Sequence, residues 1–99
     1  MNYKIKILDT AENDIINIYN FIFNNTKSKK LSDKIFYELY SRINSLTFMP
    51  EMYQIYIDKY RSINHKWYKI FYKINKKNRE VIVYNILSQK QNYINFLQF

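Results

Sequence analysis

The chain contains no glycine and no cysteine, and it has a single proline, a single histidine and a single tryptophan in 99 residues. Without cysteine there is neither a disulfide framework nor a thiolate zinc site. One histidine argues against a histidine-based metal centre too. The sequence therefore predicts no metal and no cofactor. Without glycine there is no glycine-rich loop to cradle a phosphate. The N-terminal run MNYKIKIL is too short and too charged for a signal peptide, and no apolar run approaches the ~18 residues of a membrane span. The expectation is a cytoplasmic protein with no membrane contact. At 99 residues it should form one domain over 1–99.

What is abundant is positive charge. The formal net charge is +8, from 16 basic and 8 acidic side chains. Residues 1–50 carry seven basic and five acidic groups, and residues 51–99 carry nine and three. Between 59 and 79 there are eight basic residues and no acid. A one-signed region of this kind attracts a polyanion. Lysine supplies 13 of the 16 basic residues, and the chain is rich in Asn, Ile and Tyr with one Ala. That composition suits an A/T-biased coding sequence, which alone raises lysine content. A solvated sheet face is thus the plain alternative to a binding surface.

The order of elements follows from periodicity. Tyr3, Ile5 and Ile7 alternate with Lys4 and Lys6, which predicts a strand over residues 3–8. Asp9 or Thr10 then suits an N-cap, with Glu12 three residues after Asp9 in capping-box position. Ala11, Ile15, Ile18, Tyr19 and Ile22 share one helical stripe, and asparagines face the other way. Ser28 or Ser32 can cap a second helix with the stripe Leu31, Ile35, Leu39, Ile43 and Leu46, which Pro50 should stop. So short a connection predicts an antiparallel helical hairpin. Residues 55–63 read as extended but irregular. Residues 67–74 alternate Tyr68, Ile70, Tyr72 and Ile74 against Trp67, Lys69, Phe71 and Lys73. Asn75 to Asn78 form a polar turn, and residues 81–87 are apolar on nearly both faces, as in a central strand. The hydrophobic tail 89–99 reads as a short helix or an edge segment. The expected fold class is α+β, in the order β-α-α-β-β-β. A helical hairpin packs on one face of a mainly antiparallel twisted sheet, and the other face stays partly open.

Several pieces of this pattern, in this order, resemble the RelE/ParE superfamily of toxins from type II toxin–antitoxin systems. AENDIINIYNFI (residues 11–22) is similar to the family's first helix and INSLTFMP (43–50) to the end of its second. YRSI, WYKIFYKI and VIVYNIL are similar to its strand region. The resemblance implies a small basic toxin held inactive by a cognate antitoxin in a hetero-oligomer. The target would be mRNA in the ribosome, or alternatively DNA gyrase. The fold alone does not choose between them. A weaker alternative is a non-toxic nucleic-acid-binding module.

In the ribonuclease branch the RNA 2′-OH attacks the adjacent phosphate, and the protein must move protons and neutralise the phosphorane. Arg61 stands at the family's early-strand arginine and suits that charge, because a guanidinium grips phosphate bidentately. Near the C-terminus the run SQKQNY places Tyr93 at the family tyrosine and Lys90 as a substitute for its arginine. Ser88 stands where a histidine is common, and Gln91 also departs from the pattern. The expected catalytic set is Arg61, Lys90 and Tyr93, with Lys59, Lys66, Lys69 and Lys73 holding nucleic acid. The retained Arg61 and Tyr93 favour ribosome-dependent mRNA cleavage, with gyrase inhibition as the alternative. Each residue also has a plain reading. Arg61 can pair with Asp58 or Glu80. His65 beside a turn reads as a surface histidine. Trp67 and Phe71 can stack bases or enter the core. Glu12 and Asp14 read as a cap and a solvated face.

Overall fold

The computed structural model describes residues 2–88. The expectation of a C-terminal helix or edge segment, and the positions of Lys90 and Tyr93, lie outside the described residues. Strand β1 (Lys4–Ile7) leads into helix α1 (Asp9–Thr26) and helix α2 (Lys29–Asn44). Two short 3-10 turns, Ser45–Thr47 and Pro50–Met52, precede β2 (Ile55–Ile57), β3 (Tyr60–His65), β4 (Tyr68–Asn75) and β5 (Glu80–Ser88). The five strands form one sheet in the order β1-β5-β4-β3-β2. β1 runs parallel to β5, and the other pairs are antiparallel.

The α+β class and the helix-on-sheet arrangement match the periodicity, with local differences. The predicted irregular stretch 55–63 is two strands, β2 and β3, joined by a tight turn in which Asp58 adopts φ 52°. Neither Asp9 nor Thr10 is the N-cap of α1. Leu8 holds that place, without a side-chain cap. The reason is topological: the Leu8 N–H still bonds the Val83 carbonyl at 3.0 Å, so pairing with β5 runs to the helix start. Asp9 and Glu12 instead place negative charge in the first turn, where the helix dipole favours it. Ser28 is the cap of α2, accepting from the Leu31 N–H at 3.0 Å. Pro50 does not stop α2, which ends at Asn44 and tightens into the 3-10 turn as Ser45 donates to the Arg42 carbonyl.

Ala11, Ile15, Ile35, Leu39 and Ile43 from the helices meet Ile63, Tyr68, Ile70, Tyr72, Val81, Val83 and Ile86 of the sheet in the main core. The opposite sheet face, expected to stay partly open, carries its lysines over a small buried cluster of its own. Tyr60, Phe71 and Leu87 are buried there, with Ile57 and Tyr84 packed against them. Strand β5 can serve both faces because its register shifts once. Phe71 pairs with Asn85 and Tyr72 with Val83, so Tyr84 is an extra residue, a β-bulge. Before it the odd-numbered Val81 and Val83 face the helices. After it the even-numbered Ile86 does, while Leu87 turns to the far face.

The bulge lies beyond the end of β1, where β5 has no strand neighbour on that side among the described residues. Helix α1 fills the gap with side chains. Thr10 Oγ1 donates to the Tyr84 carbonyl at 2.7 Å, and Asp14 Oδ2 accepts from the Ile86 N–H at 2.9 Å. Asp14 therefore has a task that the reading as a solvated face missed. Its carboxyl is raised above the ordinary value, first by burial, against the opposing hydrogen bonds from Ile86 and Asn85. Removing the acceptor leaves the Ile86 N–H without it, so Asp14→Ala should cost about 1–3 kcal/mol in chemical denaturation. Asp14→Asn, which keeps an acceptor oxygen, should cost less. Because the folded pKa of Asp14 is raised, its contribution is fully present below the unfolded pKa and declines as pH rises through the folded value. That slope should vanish in Asp14→Asn.

Candidate nucleic-acid interface

The strand alternation decides which predicted residues share a surface. Cross-strand partners lie on one face, and Arg61 stands opposite Tyr72 while Ser62 stands opposite Phe71. Arg61 thus belongs to the helix-side face with Tyr72 and Ile63, whereas Lys69, Phe71 and Lys73 belong to the far face. Its Nη1 donates to the Tyr53 carbonyl at 2.5 Å and to the Glu51 carbonyl at 3.0 Å. Neither Asp58 nor Glu80 takes it in an ion pair among the described residues. The guanidinium clamps the chain that follows the second 3-10 turn. Tyr72, whose hydroxyl donates to the Pro50 carbonyl at 2.7 Å, holds the same segment from below. Burial raises the Tyr72 hydroxyl well above its ordinary value, so it stays a donor.

The other end of the sheet is organised around Glu38 of α2. Its Oε1 meets His65 Nε2 at 2.9 Å and Lys66 Nζ at 3.0 Å. The reading of His65 as a plain surface residue is corrected: it bridges strand to helix, and its side chain is 19% exposed. Lys66 holds the same carboxylate from the left-handed position of the β3–β4 turn, at φ 55°. These bonds, Lys66 first and His65 second, lower the Glu38 carboxyl below its ordinary value.

On the far face the lysines lie over aromatic rings. Lys73 Nζ sits 4.3 Å from the Tyr60 centroid and 5.3 Å from that of Tyr84. Lys69 Nζ lies 5.4 Å from the Tyr56 centroid. Such contacts hold an ammonium at a defined place while leaving its charge intact. Phe71 is buried beneath, edge-on to Tyr56 and Tyr60, so it is core and not a stacking platform. Trp67 lies in the β3–β4 turn rather than in a strand and is 68% exposed. Lys59, Arg61 and Lys73 line one depression of about 450 Å³. Lys76 and Tyr84 line it too, and neither stood out in the sequence. The register of β3 against β4 is the signal that would have found Lys76, since it sets the 58–59 turn beside the end of β4. Lys66 stands at the opposite end of β3 and β4 from this depression.

The frame is a helical hairpin on one face of a five-stranded mixed sheet, with ring-supported lysines on the other. The family model of the ParE toxin of type II toxin–antitoxin systems (parDE) matches residues 5–93. The chain belongs to that family. Among solved structures, it is similar to the RelBE2 toxin–antitoxin complex from Mycobacterium tuberculosis, with a TM-score of 0.69, 13% identity, and coverage of 90% of this chain and 100% of that one. It is also similar to the chromosomal ParDE system from P. aeruginosa, with a TM-score of 0.74, 12% identity, and coverage of 87% and 95%. A free arginine-substituted mutant of the E. coli toxin RelE matches with a TM-score of 0.66, 11% identity, and coverage of 96% and 92%. At these identities the likeness is one of fold. No curated protein matches the chain by sequence.

Two outcomes follow from this geometry. Arg61→Ala should lower stability by about 1–3 kcal/mol, since two main-chain carbonyls lose a charged donor. Thermal unfolding measures this, and Arg61→Lys should recover only part, because an ammonium lacks the planar fork. Glu38 has a lowered folded pKa, so its stabilising contribution is present above about pH 4.5 and is lost as pH falls through the folded value. Glu38→Gln should lower the melting temperature at neutral pH and flatten the acid limb of a stability–pH profile.

Proposed function

We propose that this chain is the growth-inhibiting member of a type II toxin–antitoxin pair, and that it acts by binding DNA gyrase rather than by cutting RNA. A cognate antitoxin would hold it inactive in the cytoplasm as a hetero-oligomer. Antitoxin-containing structures such as RelBE2 and ParDE, which share the fold, support that partner. Among the described residues, no helix is long and apolar enough to cross a membrane.

The observation that carries the choice of target is the place of Arg61. The guanidinium best suited to stabilise a phosphorane would be turned to the nucleic acid, and Nη1 of this one is engaged by the Glu51 and Tyr53 carbonyls on the helix side. His65, the one imidazole, is likewise held by Glu38. What remains on the far face is lysine, which supplies charge. Lysine ammonium groups suit charge neutralisation better than proton transfer. The match to the ParE toxin family supports the same reading.

Ribosome-dependent mRNA cleavage is the second reading. It draws on the ring-supported Lys69 and Lys73, with Arg61, Lys90 and Tyr93 as the catalytic set that the family resemblance implies. Pulse incorporation of labelled thymidine and labelled amino acid, minutes after the chain is induced alone in a bacterium, separates the two. The gyrase reading expects thymidine incorporation to fall first, and Arg61→Ala, if folded, to stay toxic. A prompt fall in amino-acid incorporation with cleaved mRNA would overturn it and restore the catalytic assignments.

A further inference from the structure

The depression between the 58–59 turn and the end of β4 concentrates like charge. Lys59, Arg61, Lys73 and Lys76 all line it. Four cations about one hollow of roughly 450 Å³ repel one another. The carboxylate within ion-pair distance of them is Asp58, at 3.9 Å from Lys73. Glu80, opposite Asn75 in the β4–β5 ladder, is not among the lining residues. Lys59 and Lys76 form no ion pair among the described residues. Glu51 lies near enough to Lys76 to feel its charge, yet the hollow still gathers more cations than carboxylates, which makes it a candidate for binding an anion.

The site is also held in shape. Lys73 is fixed between the Tyr60 and Tyr84 rings, and Arg61 by two carbonyls. Lys59 follows Asp58, whose left-handed backbone closes the β2–β3 turn. The Lys73 ammonium, set over two rings, and the Lys59 and Lys76 ammonium groups beside it suit an oxyanion bound without strict geometry, while Arg61 shapes the wall of the hollow. The Tyr60 ring is 1% exposed, so it offers no platform for stacking a base. The charge of the lining lysines suits the hollow to phosphate.

We infer that this depression binds the phosphodiester backbone of duplex DNA, without reading its sequence, and that Lys59 and Lys76 are its entry contacts. The assignment to DNA, over another phosphodiester, rests on the gyrase reading above. Binding would hold the toxin on the DNA that its target enzyme engages.

The test is fluorescence anisotropy of a labelled 20-base-pair duplex with the full chain across a salt series. The logarithm of affinity should fall linearly with the logarithm of salt, by about 0.9 per neutralised phosphate. Lys59→Ala/Lys76→Ala should flatten that slope by about two units and weaken binding roughly tenfold or more near 100 mM salt. Lys30→Ala/Lys34→Ala removes the same charge from an exposed face of α2 and should leave the slope unchanged. Equal losses in both pairs, at matched folded circular dichroism, would mean attraction by net charge alone and would overturn the site. Absence of salt-dependent binding by the parent chain would overturn it as well. Equal or tighter binding of single-stranded RNA would overturn the assignment to duplex DNA. The target reading fails separately: if amino-acid incorporation falls first while only the Lys59/Lys76 pair loses phosphodiester binding, gyrase is excluded and the hollow stands.

Discussion

Between Val83 and Ile86, strand β5 carries one residue more than its partner β4. A single inserted residue reverses which face each later side chain occupies. Without it Ile86 would leave the helix-side core and Leu87 would leave the far cluster. With it, one strand contributes Val81, Val83 and Ile86 to one core and Leu87 to the other. The irregular backbone must still be satisfied, and α1 does this with Thr10 and Asp14. The helix therefore packs on the sheet and also completes its hydrogen bonding where β1 ends.

The absence of glycine shapes the remainder. Among the described residues, five adopt positive φ: Lys27, Met49, Asp58, Lys66 and Arg79. A side chain in that region costs energy that glycine avoids, so each position relies on other contacts. Lys27 bonds the Phe23 carbonyl at 2.7 Å, Lys66 holds Glu38, and the Arg79 guanidinium lies 4.5 Å from the Tyr3 centroid. Three of the five residues are long cations at turns. At Lys66 and Arg79 the side chain that supports the turn is therefore also a cation.

The fold sorts that charge into two kinds. Arg61, Lys66 and His65 are drawn to the helix side, where carbonyls and Glu38 take them up. Lys69 and Lys73 remain on the far face over rings, and Lys59 and Lys76 flank them at one end. The second group keeps its charge at the surface, and the first holds the sheet to the helices. This division explains how a strongly basic strand pair supplies scaffold and surface together.

Much of this was legible in the chain. Alternation in residues 3–8 and 67–74 and the stripes of both helices determined the elements and their inner faces, because side-chain direction follows backbone period. The hairpin connection and the Ser28 cap are local effects and could be read locally. The excess of lysine after residue 50 marked the basic surface. The tertiary structure alone decided the rest. Leu8 replaced Asp9 and Thr10 at the helix start because a distant strand takes its N–H. Asp14 and His65 acquired partners 72 and 27 residues away in sequence. Arg61 went to the helix side and Lys73 to the far side because their faces depend on the register of β3 against β4, and on the bulge that shifts β5. Register between segments far apart in the chain is a property of the folded sheet, so no single stretch of residues states it.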